Sequence, residues 1–503
     1  MLEDVHHECG VAGAMHPEEG HNVVDLVAAM TRNLEHRGGL AAGIAVPEDG
    51  GFRVVKQNGH VRQVLTPRRL RGLSDRAALG HTRYATAGSE ERALAQPEQH
   101  RSSNPDERFV FGWNGTLANA DELRVSERDR GTVLRTTGDT ELLKLQILRG
   151  IQRHTSANLA AVFADVEQNV DGSFNIAMLL PDRTLVAYRD RQGRHPLNYA
   201  VNDDGCVLVV SEDKAMREVQ PGVDPVPIHP GELLIARHDG LQFQQVADPD
   251  PQRCFFEWVY FSNVESSFDG SHVGAARYAS GRILALLDTL APKGSSVVAV
   301  PDSARIAADA YAQQKQWPLL QDGIINLLPG VRTFTKGDPA RTLKAQQKYG
   351  INRSVLEGKS IVLVDDSLVR GTTMRELIRR LRQEGGVAQI HLRLACPPIL
   401  SPCFYGIDFP EIKELIARQN FNSTLKSGTL PDEVLRVIAA RLGVDSIQFL
   451  PVEVIPLAIG CEIRSLCMAC VTGQYPTPCG QRRAEAAEAN WSAGNRYVIE
   501  SSR

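Results

Sequence analysis

Residues Ser360–Met374 have the sequence SIVLVDDSLVRGTTM, and they decide the fold of the second half of the chain. The run IVLV is β-branched or aliphatic throughout, which predicts a buried strand. Two carboxylates, Asp365 and Asp366, end that strand, and after a small, polar loop MRELIRRLRQ predicts a helix. Loop amides and a helix N-terminus attract phosphate, Gly371 allows close backbone approach, and the acids suit ribose hydroxyls or a metal. This order predicts a site for a phosphorylated sugar, while the plain alternative is a strand ending in a polar turn.

Outward from this stretch, helices and short apolar strands alternate from about residue 270 onward. ARYASGRILALLDTL predicts a helix, and SSVVAVPDS predicts a strand followed by a loop. Such alternation is typical of a doubly wound α/β fold with a parallel sheet, which binds ligands at the carboxyl ends of its strands. Because VVAVPDS and IVLVDDS both end in acid and serine, we expect Asp302–Ser303 and Asp365–Asp366 to face one site.

The chain before residue 250 has a different pattern, in which short strands such as CGVAGAM, GLAAGIAVP and NIAMLLP are mixed with helices. This pattern fits an α+β domain with stacked sheets. Residues Gln245–Arg253, QVADPDPQR, are polar and include two prolines, so they predict a linker. We therefore expect one domain at 9–250, a second at 251–460, and a cysteine-bearing extension at 461–503.

Bulk properties exclude several classes of protein. A chain of 503 residues has room for two or three domains, and its net charge of −4 gives no indication of a nucleic-acid or membrane surface. No apolar run is long enough to cross a bilayer, and the acidic start MLEDVHHEC lacks the apolar core of a signal peptide. A cytoplasmic location is the default expectation. There the nine cysteines should stay reduced, which leaves metal binding, catalysis or burial to explain them.

The opening stretch resembles the phosphoribosyl-pyrophosphate (PRPP) loop of the type I phosphoribosyltransferases, and VPDSAR at Val300–Arg305 resembles the pyrophosphate-side strand end of that family. The resemblance implies a Mg²⁺ ion surrounded by Ser303, Asp365 and Asp366. It also implies a group of loop residues that cradle the 5′-phosphate of PRPP, namely Ser367, Arg370, Gly371, Thr372 and Thr373.

Cys9 lies in the segment HHECGVAGAM, and four further segments accompany it: LEHRG, GHTRYATAG, WNGTLANA and TTGDTELL. Each alone has an ordinary explanation, such as a buried thiol, a surface turn or a helix cap. Together they resemble the glutaminase domain of class II glutamine amidotransferases, which are N-terminal-nucleophile hydrolases with an αββα sandwich fold.

This second resemblance implies that residues 1–8 are a propeptide and that Cys9 becomes the N-terminal nucleophile. The free α-amine, with an ordinary pKa of about 7.7–8.0, can then act as the base. The Asn114 side chain and the Gly115 backbone N–H would form the oxyanion hole. Arg83 would bind the α-carboxylate of glutamine, and Asp139 would bind its α-ammonium group.

The late cysteines include a C-x-x-C pair, Cys467 and Cys470, which alone fits zinc, a redox pair or half of an iron–sulfur site. Together with Cys254 and Cys403, the pair Cys467 and Cys470 resembles the four cysteines that bind a structural [4Fe–4S] cluster in one branch of the amidophosphoribosyltransferases. Zinc is the alternative, because four thiolates do not distinguish the two.

Both domains in this order resemble the amidophosphoribosyltransferase family over nearly the whole chain, with further matches at FFEWVYFS, NRSVLEGK and PPILSPCFYGID. The implied activity transfers ammonia from glutamine to PRPP, releases pyrophosphate and begins purine synthesis. The alternatives are transfer to another phosphoribosyl acceptor and a non-catalytic PRPP sensor. The family also implies a homodimer or homotetramer and inhibition by purine nucleotides.

Two segments depart from the family pattern. GLAA at Gly39–Ala42 replaces a polar stretch and could alter the glutamine pocket, whereas the apolar Ile325–Val331 precedes RTF and could alter coupling between the sites.

Overall fold

The computed structural model describes residues 9–84, 94–289, 291–327, 349–407, 409 and 411–501, with side chains to residue 491. The expected propeptide at 1–8 lies outside these ranges, and so does most of the segment 325–331, which differs from the family pattern.

The first half of the chain forms two antiparallel sheets. One has seven strands, in the spatial order Val226–Pro227, Asn198–Val201, Val207–Val210, Gly10–Met15, Ala77–Arg83, Ala41–Glu48 and Gly51–Asn58. The other has six strands, in the order Gly240–Gln245, Glu232–Arg237, Leu185–Arg189, Gly172–Leu179, Phe109–Leu117 and Glu98–His100.

Helices cover the outer faces of the two sheets, which gives four layers. They span Val24–Asn33, Val61–Val64, Pro67–Leu70, Ala120–Asp129, Asp139–His154, Leu159–Asn169 and Asp213–Arg217, with a 3₁₀ turn at Pro105–Glu107. Three buried apolar clusters lie between successive layers: helix Val24–Asn33 on the first sheet, sheet on sheet, and helices Asp139–His154 and Leu159–Asn169 on the second sheet. The predicted αββα sandwich is confirmed.

The second half contains a four-stranded parallel sheet, in the order Ser296–Ala299, Ser360–Asp365, Gln389–Leu394 and Ser446–Phe449. The predicted strand Ser360–Asp365 is therefore central, and its apolar run is buried between neighbours on both sides. Helices surround the sheet at Val273–Leu287, Arg305–Lys315, Arg353–Leu356, Thr372–Gln383, Asp432–Leu442 and Val454–Ile459, with a 3₁₀ turn at Ile412–Glu414. The predicted doubly wound α/β class is confirmed.

Short elements connect the two halves. A helical turn at Glu257–Phe261 follows the predicted linker, and the strand Arg253–Cys254 pairs in parallel with Leu466–Cys467. Small antiparallel pairs form between Ser267–Phe268 and Ser271–His272, and between Ile324–Asn326 and Tyr349–Ile351. The C-terminal segment adds a 3₁₀ turn and two helices, at Ile463–Ser465, Ala469–Thr472 and Pro478–Ser501. Among the described helices, none is both long and apolar enough to span a bilayer.

Candidate active sites

Cys9 lies at the end of the central strand of the first sheet. The strand Gly10–Met15 pairs antiparallel with Ala77–Arg83 so that Gly10 is opposite Thr82, which brings Cys9 next to Arg83. Both residues are buried, with 8% of the surface of each exposed. The sheet register therefore brings together two predicted site residues that are far apart in sequence.

Asn114 belongs to the second sheet and reaches across to Cys9. Its Oδ1 accepts a hydrogen bond of 3.0 Å from the backbone N–H of Cys9. Its Nδ2 is buried and has no hydrogen-bond partner among the described residues. Leaving a buried amide N–H unpaired costs on the order of 1–3 kcal/mol, which a ligand oxygen would recover. The Oδ1 atom thus fixes the Asn114 side chain, and the Nδ2 atom is available as a hydrogen-bond donor.

Gly115 follows Asn114 with a φ angle of +138°, which L side chains rarely adopt. An added Cβ would lie 1.8 Å from the carbonyl oxygen of Ser173 on the paired strand. Only glycine fits this backbone, so the Asn-Gly order of the predicted oxyanion hole also has a steric cause.

Arg37 is a site residue that the sequence analysis missed, although it lies in the quoted LEHRG segment. It is fully buried, and its Nε donates to the carbonyl oxygen of Cys9 over 3.2 Å. Its Nη1 and Nη2 form ion pairs of 2.6 Å with Glu212 and 2.8 Å with Glu257. Because Glu257 lies 220 residues away, no local pattern in the sequence could have indicated this contact.

Charge compensation keeps these buried acids ionised. Burial alone would raise the pKa of Glu257, but Arg37 and His195 lower it to about 2. Burial likewise opposes ionisation of Glu212, whose pKa the neighbouring His36 and Arg37 hold well below its ordinary value. In contrast, burial lowers the pKa of His81 to about 3, so this histidine is neutral at physiological pH.

Asp139 begins the helix Asp139–His154, and it is tied to the strand that carries Asn114 and Gly115. Its Oδ2 accepts a hydrogen bond of 3.1 Å from the backbone N–H of Leu117, and Arg124 lies 3.7 Å from its Oδ1.

The segment Gly39–Ala42, which differs from the family pattern, leads into the strand Ala41–Glu48, and Ala41 pairs with Arg83.

In the second half, two strand ends converge as predicted. Ala299 pairs with Val364, so the residues after each strand meet at one edge of the sheet. The hydroxyl of Ser303 donates to Asp366, and the hydroxyl of Ser367 donates to the other oxygen of Asp366 over 2.6 Å. The backbone N–H of Asp366 donates to Asp365 over 2.9 Å. These oxygen atoms are of the kind that Mg²⁺ prefers.

The loop after these acids ends at Gly371, which precedes the helix Thr372–Gln383 and has a φ angle of +75°. Thr372 and Thr373 form the first turn of that helix, where backbone N–H groups lack helical acceptors. Arg370 forms a 2.7 Å ion pair with Glu414. The described loop thus combines a helix N-terminus with hydroxyl side chains.

The four cysteines predicted to bind a cluster line one cavity, although they come from three distant segments. Cys254 pairs with Cys467 across the two short parallel strands, and the cavity also includes Cys403, Cys470 and Arg194. Burial raises the pKa of Cys403 to about 12 and that of Cys470 well above its ordinary value. Soft, enclosed donors of this kind fit a cluster whose positive iron ions would stabilise the thiolates.

Over the described ranges, no three His, Cys, Asp or Glu side chains converge closely enough to hold a single metal ion. Of the remaining cysteines, Cys206, Cys396 and Cys479 are buried and Cys461 is partly buried, and the sequence analysis assigned them no ligand role.

Known proteins share this architecture. A family profile described as a glutamine amidotransferase domain matches residues 81–218. The chain is 35% identical over 478 residues to amidophosphoribosyltransferase of Mycobacterium tuberculosis, covering 94% of this chain and 87% of that protein. It is 32% identical over 485 residues to amidophosphoribosyltransferase of Methanocaldococcus jannaschii, covering 93% and 98%.

Solved structures agree with these relatives. Glutamine PRPP amidotransferase of B. subtilis, complexed with ADP and GMP, matches with a TM-score of 0.80 and 30% identity over 94% of this chain and 98% of that one. A structure described as the allosteric regulatory enzyme of purine biosynthesis matches with a TM-score of 0.81 and 31% identity over 94% and 97%. The alternatives of another acceptor or a sensor find no support in these relatives. The chain therefore belongs to the amidophosphoribosyltransferase family.

Proposed function

We propose that the site around Cys9 and the site around Asp366 perform the two halves of the family reaction. As a family member, the chain transfers ammonia from glutamine to PRPP, which releases pyrophosphate and gives 5-phosphoribosylamine, the first step of purine biosynthesis. The observation that carries the residue assignment is the Asn114 amide. Its oxygen accepts from the Cys9 backbone, and its N–H group has no partner within the described part of the chain.

In the glutaminase half, the Cys9 thiolate attacks the side-chain amide carbon of glutamine. Removal of residues 1–8 would free the α-amine of Cys9, which takes the thiol proton and passes it to the leaving nitrogen. Ammonia leaves, and water then hydrolyses the thioester to glutamate. The Asn114 Nδ2 and the Gly115 backbone N–H stabilise the tetrahedral oxyanion.

The remaining glutaminase residues position the reactants. Arg37 fixes the Cys9 backbone through its carbonyl oxygen. Arg83, buried beside Cys9, suits the α-carboxylate of glutamine because a guanidinium forms paired hydrogen bonds with a carboxylate. Asp139 would bind the α-ammonium group, and its link to Leu117 would keep it close to the oxyanion hole.

In the transferase half, ammonia displaces pyrophosphate from C1 of the ribose. The loop residues Ser367, Arg370, Gly371, Thr372 and Thr373 would hold the 5′-phosphate. Mg²⁺, held by Ser303, Asp365 and Asp366, would neutralise charge on the departing pyrophosphate. The protein otherwise contributes alignment of the reacting atoms and exclusion of water.

Ammonia must cross from one site to the other without becoming protonated in bulk water. A small cavity lies at the transferase site, and its lining includes Trp258, Val259, Ser303 and Asp366. The turn that carries Trp258 and Val259 also carries Glu257, which contacts Arg37. This cavity supports an internal route for ammonia at its transferase end.

The cofactor and partner assignments go beyond the family identity. Cys254, Cys403, Cys467 and Cys470 would bind a [4Fe–4S] cluster, whose role is structural because the reaction transfers no electrons. It would fasten the C-terminal segment to the linker. A cytoplasmic homo-oligomer inhibited by purine nucleotides completes the proposal, and the nucleotides bound to the B. subtilis relative support its last part.

The nucleophile assignment is tested with Cys9→Ala, assayed for pyrophosphate release from PRPP with either glutamine or concentrated ammonia. We expect glutamine-dependent activity to fall by a factor of at least about 10³, with ammonia-dependent activity kept. Cys206→Ala removes another buried thiol and is the matched control for which both activities should persist. Glutamine-dependent activity in the Cys9 variant would overturn the assignment. The intact mass of the mature protein, purified without oxygen, reports both loss of residues 1–8 and cluster content.

A further inference from the structure

Glu257 lies beyond the linker, and its carboxylate is buried where the two halves of the chain meet. It begins the helical turn Glu257–Phe261, and none of its surface is exposed. Burying a carboxylate costs several kcal/mol unless it is paired and hydrogen-bonded, so such a residue needs a specific partner.

Several groups satisfy this carboxylate. Arg37 donates to it twice, with Nη2 to Oε1 at 2.8 Å and Nη1 to Oε2 at 3.1 Å. Ser262 donates its hydroxyl to Oε2 over 2.5 Å, and the Nδ1 of His195 lies 3.0 Å from Oε1. The paired contact with Arg37 fixes both the position and the plane of the guanidinium.

The same guanidinium holds the nucleophile. While Nη1 and Nη2 bind Glu257, the Nε of Arg37 donates to the carbonyl oxygen of Cys9. On the opposite side, the backbone N–H of Cys9 donates to Asn114. An N-terminal nucleophile is covalently bonded to the chain on one side only, so these two hydrogen bonds contribute to the direction of its thiol and amine.

We propose that Glu257 is a positioning residue for the glutamine half-reaction, which it serves by fixing Arg37 and through it the backbone of Cys9. This inference rests on the proposed role of Cys9. It adds that the glutaminase site is incomplete without a residue from beyond the linker.

The turn that contains Glu257 also contacts both sites. Trp258 and Val259 follow it in the same turn and line the cavity beside Ser303 and Asp366. A displacement of this turn at the transferase site would therefore move the carboxylate that holds Arg37.

The experiment uses Glu257→Gln in the full-length protein, because glutamine keeps the size of the side chain but cannot accept both guanidinium bonds as a charged pair. Phosphoribosylamine formation is measured with glutamine and with ammonia, and the rate of Cys9 alkylation is followed by peptide mass spectrometry. We expect kcat with glutamine to fall by about 10- to 100-fold, because small misplacements of reacting groups have effects of this size. Cys9 alkylation should slow, while kcat with ammonia should stay within about twofold.

The matched control is Asp269→Asn, which disrupts another buried ion pair between the two halves. Asp269 pairs with the fully buried Arg189 at 2.8 Å, and among the described residues neither of the two forms a hydrogen bond or ion pair with Cys9. Its variant should show a similar loss of thermal stability but an unchanged ratio of the two activities. Ser262→Ala, which removes a single hydrogen bond to Glu257 and keeps its charge, should lower the ratio by about two- to fivefold.

The outcomes are distinct. An unchanged ratio of activities in both the Glu257 and Ser262 variants would overturn the inference, as would an equal fall of the ratio in the Asp269 variant. If Glu257→Gln does not fold, the activity ratio and the rate of Cys9 alkylation in the Ser262 variant decide whether the inference holds. Cys9→Ala, assayed in parallel, tests the proposed function separately: if it retains glutamine-dependent activity, the nucleophile assignment fails, whatever Glu257 does.

Discussion

The glutaminase and transferase sites are built in opposite ways. At the first, Cys9, Arg37 and Asn114 come from separate elements and meet in a buried interior, where Cys9 and Asn114 are 105 residues apart. At the second, Asp365, Asp366 and Ser367 are consecutive and bond to one another at a strand end. The first site is therefore part of the core of its domain, whereas the second is a loop at the edge of a sheet whose core forms without it. Substitutions should affect folding at the first site more than at the second.

The largest effect should come from Asp366→Asn in the transferase loop. We expect glutamine-dependent and ammonia-dependent activity to fall together by about 10³-fold, because the loop would lose one of the charged oxygens proposed to bind Mg²⁺. The free energy of unfolding should change by less than about 1 kcal/mol. Steady-state kinetics and thermal denaturation check both parts, with Asp309→Asn on helix Arg305–Lys315 as the control. If the Asp366 variant lost only glutamine-dependent activity, the assignment of Asp366 to the transferase site would be wrong.

Asn114→Ala should give the next largest effect, and only with glutamine. Loss of one oxyanion donor lowers kcat by about 10²- to 10³-fold, and the Cys9 backbone also loses its acceptor. Activity with ammonia should stay within about twofold, since that reaction bypasses the glutaminase site. The exposed Asn104→Ala is the control. Equal losses with both nitrogen sources would mean that Asn114 supports the fold and not the oxyanion.

Gly115→Ala tests whether the glutaminase site and its domain core are inseparable. The added Cβ would collide with the Ser173 carbonyl and also occupy an unfavourable φ, so we expect a destabilisation of about 3 kcal/mol or more. Gly131→Ala is the matched control, because Gly131 also has positive φ, of +77°, but faces open space. It should cost only about 1 kcal/mol by chemical denaturation. Similar costs for the two variants would contradict the steric account.

The same contrast explains how much could be predicted from sequence. Asp365, Asp366 and Gly371 could be predicted because strand, acids, loop and helix follow one another along the chain, and the structure places them as expected. Cys9, Asn114 and Asp139 required the family resemblance, because each alone has an ordinary structural explanation. Arg37 and Glu257 were missed as site residues. Their ion pair depends on how the turn Glu257–Phe261 packs against the glutaminase half, which local periodicity does not encode.

The smallest predicted effect concerns Glu167, a partly buried acid of the glutaminase half, away from both sites. Burial, followed by the nearby charge of Asp190, raises the pKa of Glu167 to about 7, although Tyr188 donates a 2.6 Å hydrogen bond to it. Because the folded pKa exceeds the unfolded value of 4.5, the unfolded chain releases this proton first as pH rises. The group therefore contributes full stability below about pH 4.5 and loses that contribution as pH rises through about 7.

Glu167→Gln, which mimics the neutral acid, should be more stable than the parent chain by about 1–3 kcal/mol at pH 8 and nearly equal to it at pH 5. Thermal denaturation between pH 5 and pH 8 measures this, with the exposed Glu19→Gln as a control that should leave the pH dependence unchanged. If the variant gained nothing at pH 8, the glutaminase half would hold this carboxylate without the expected cost. Its interior would then be better hydrated than the packing of helix Leu159–Asn169 on the second sheet implies.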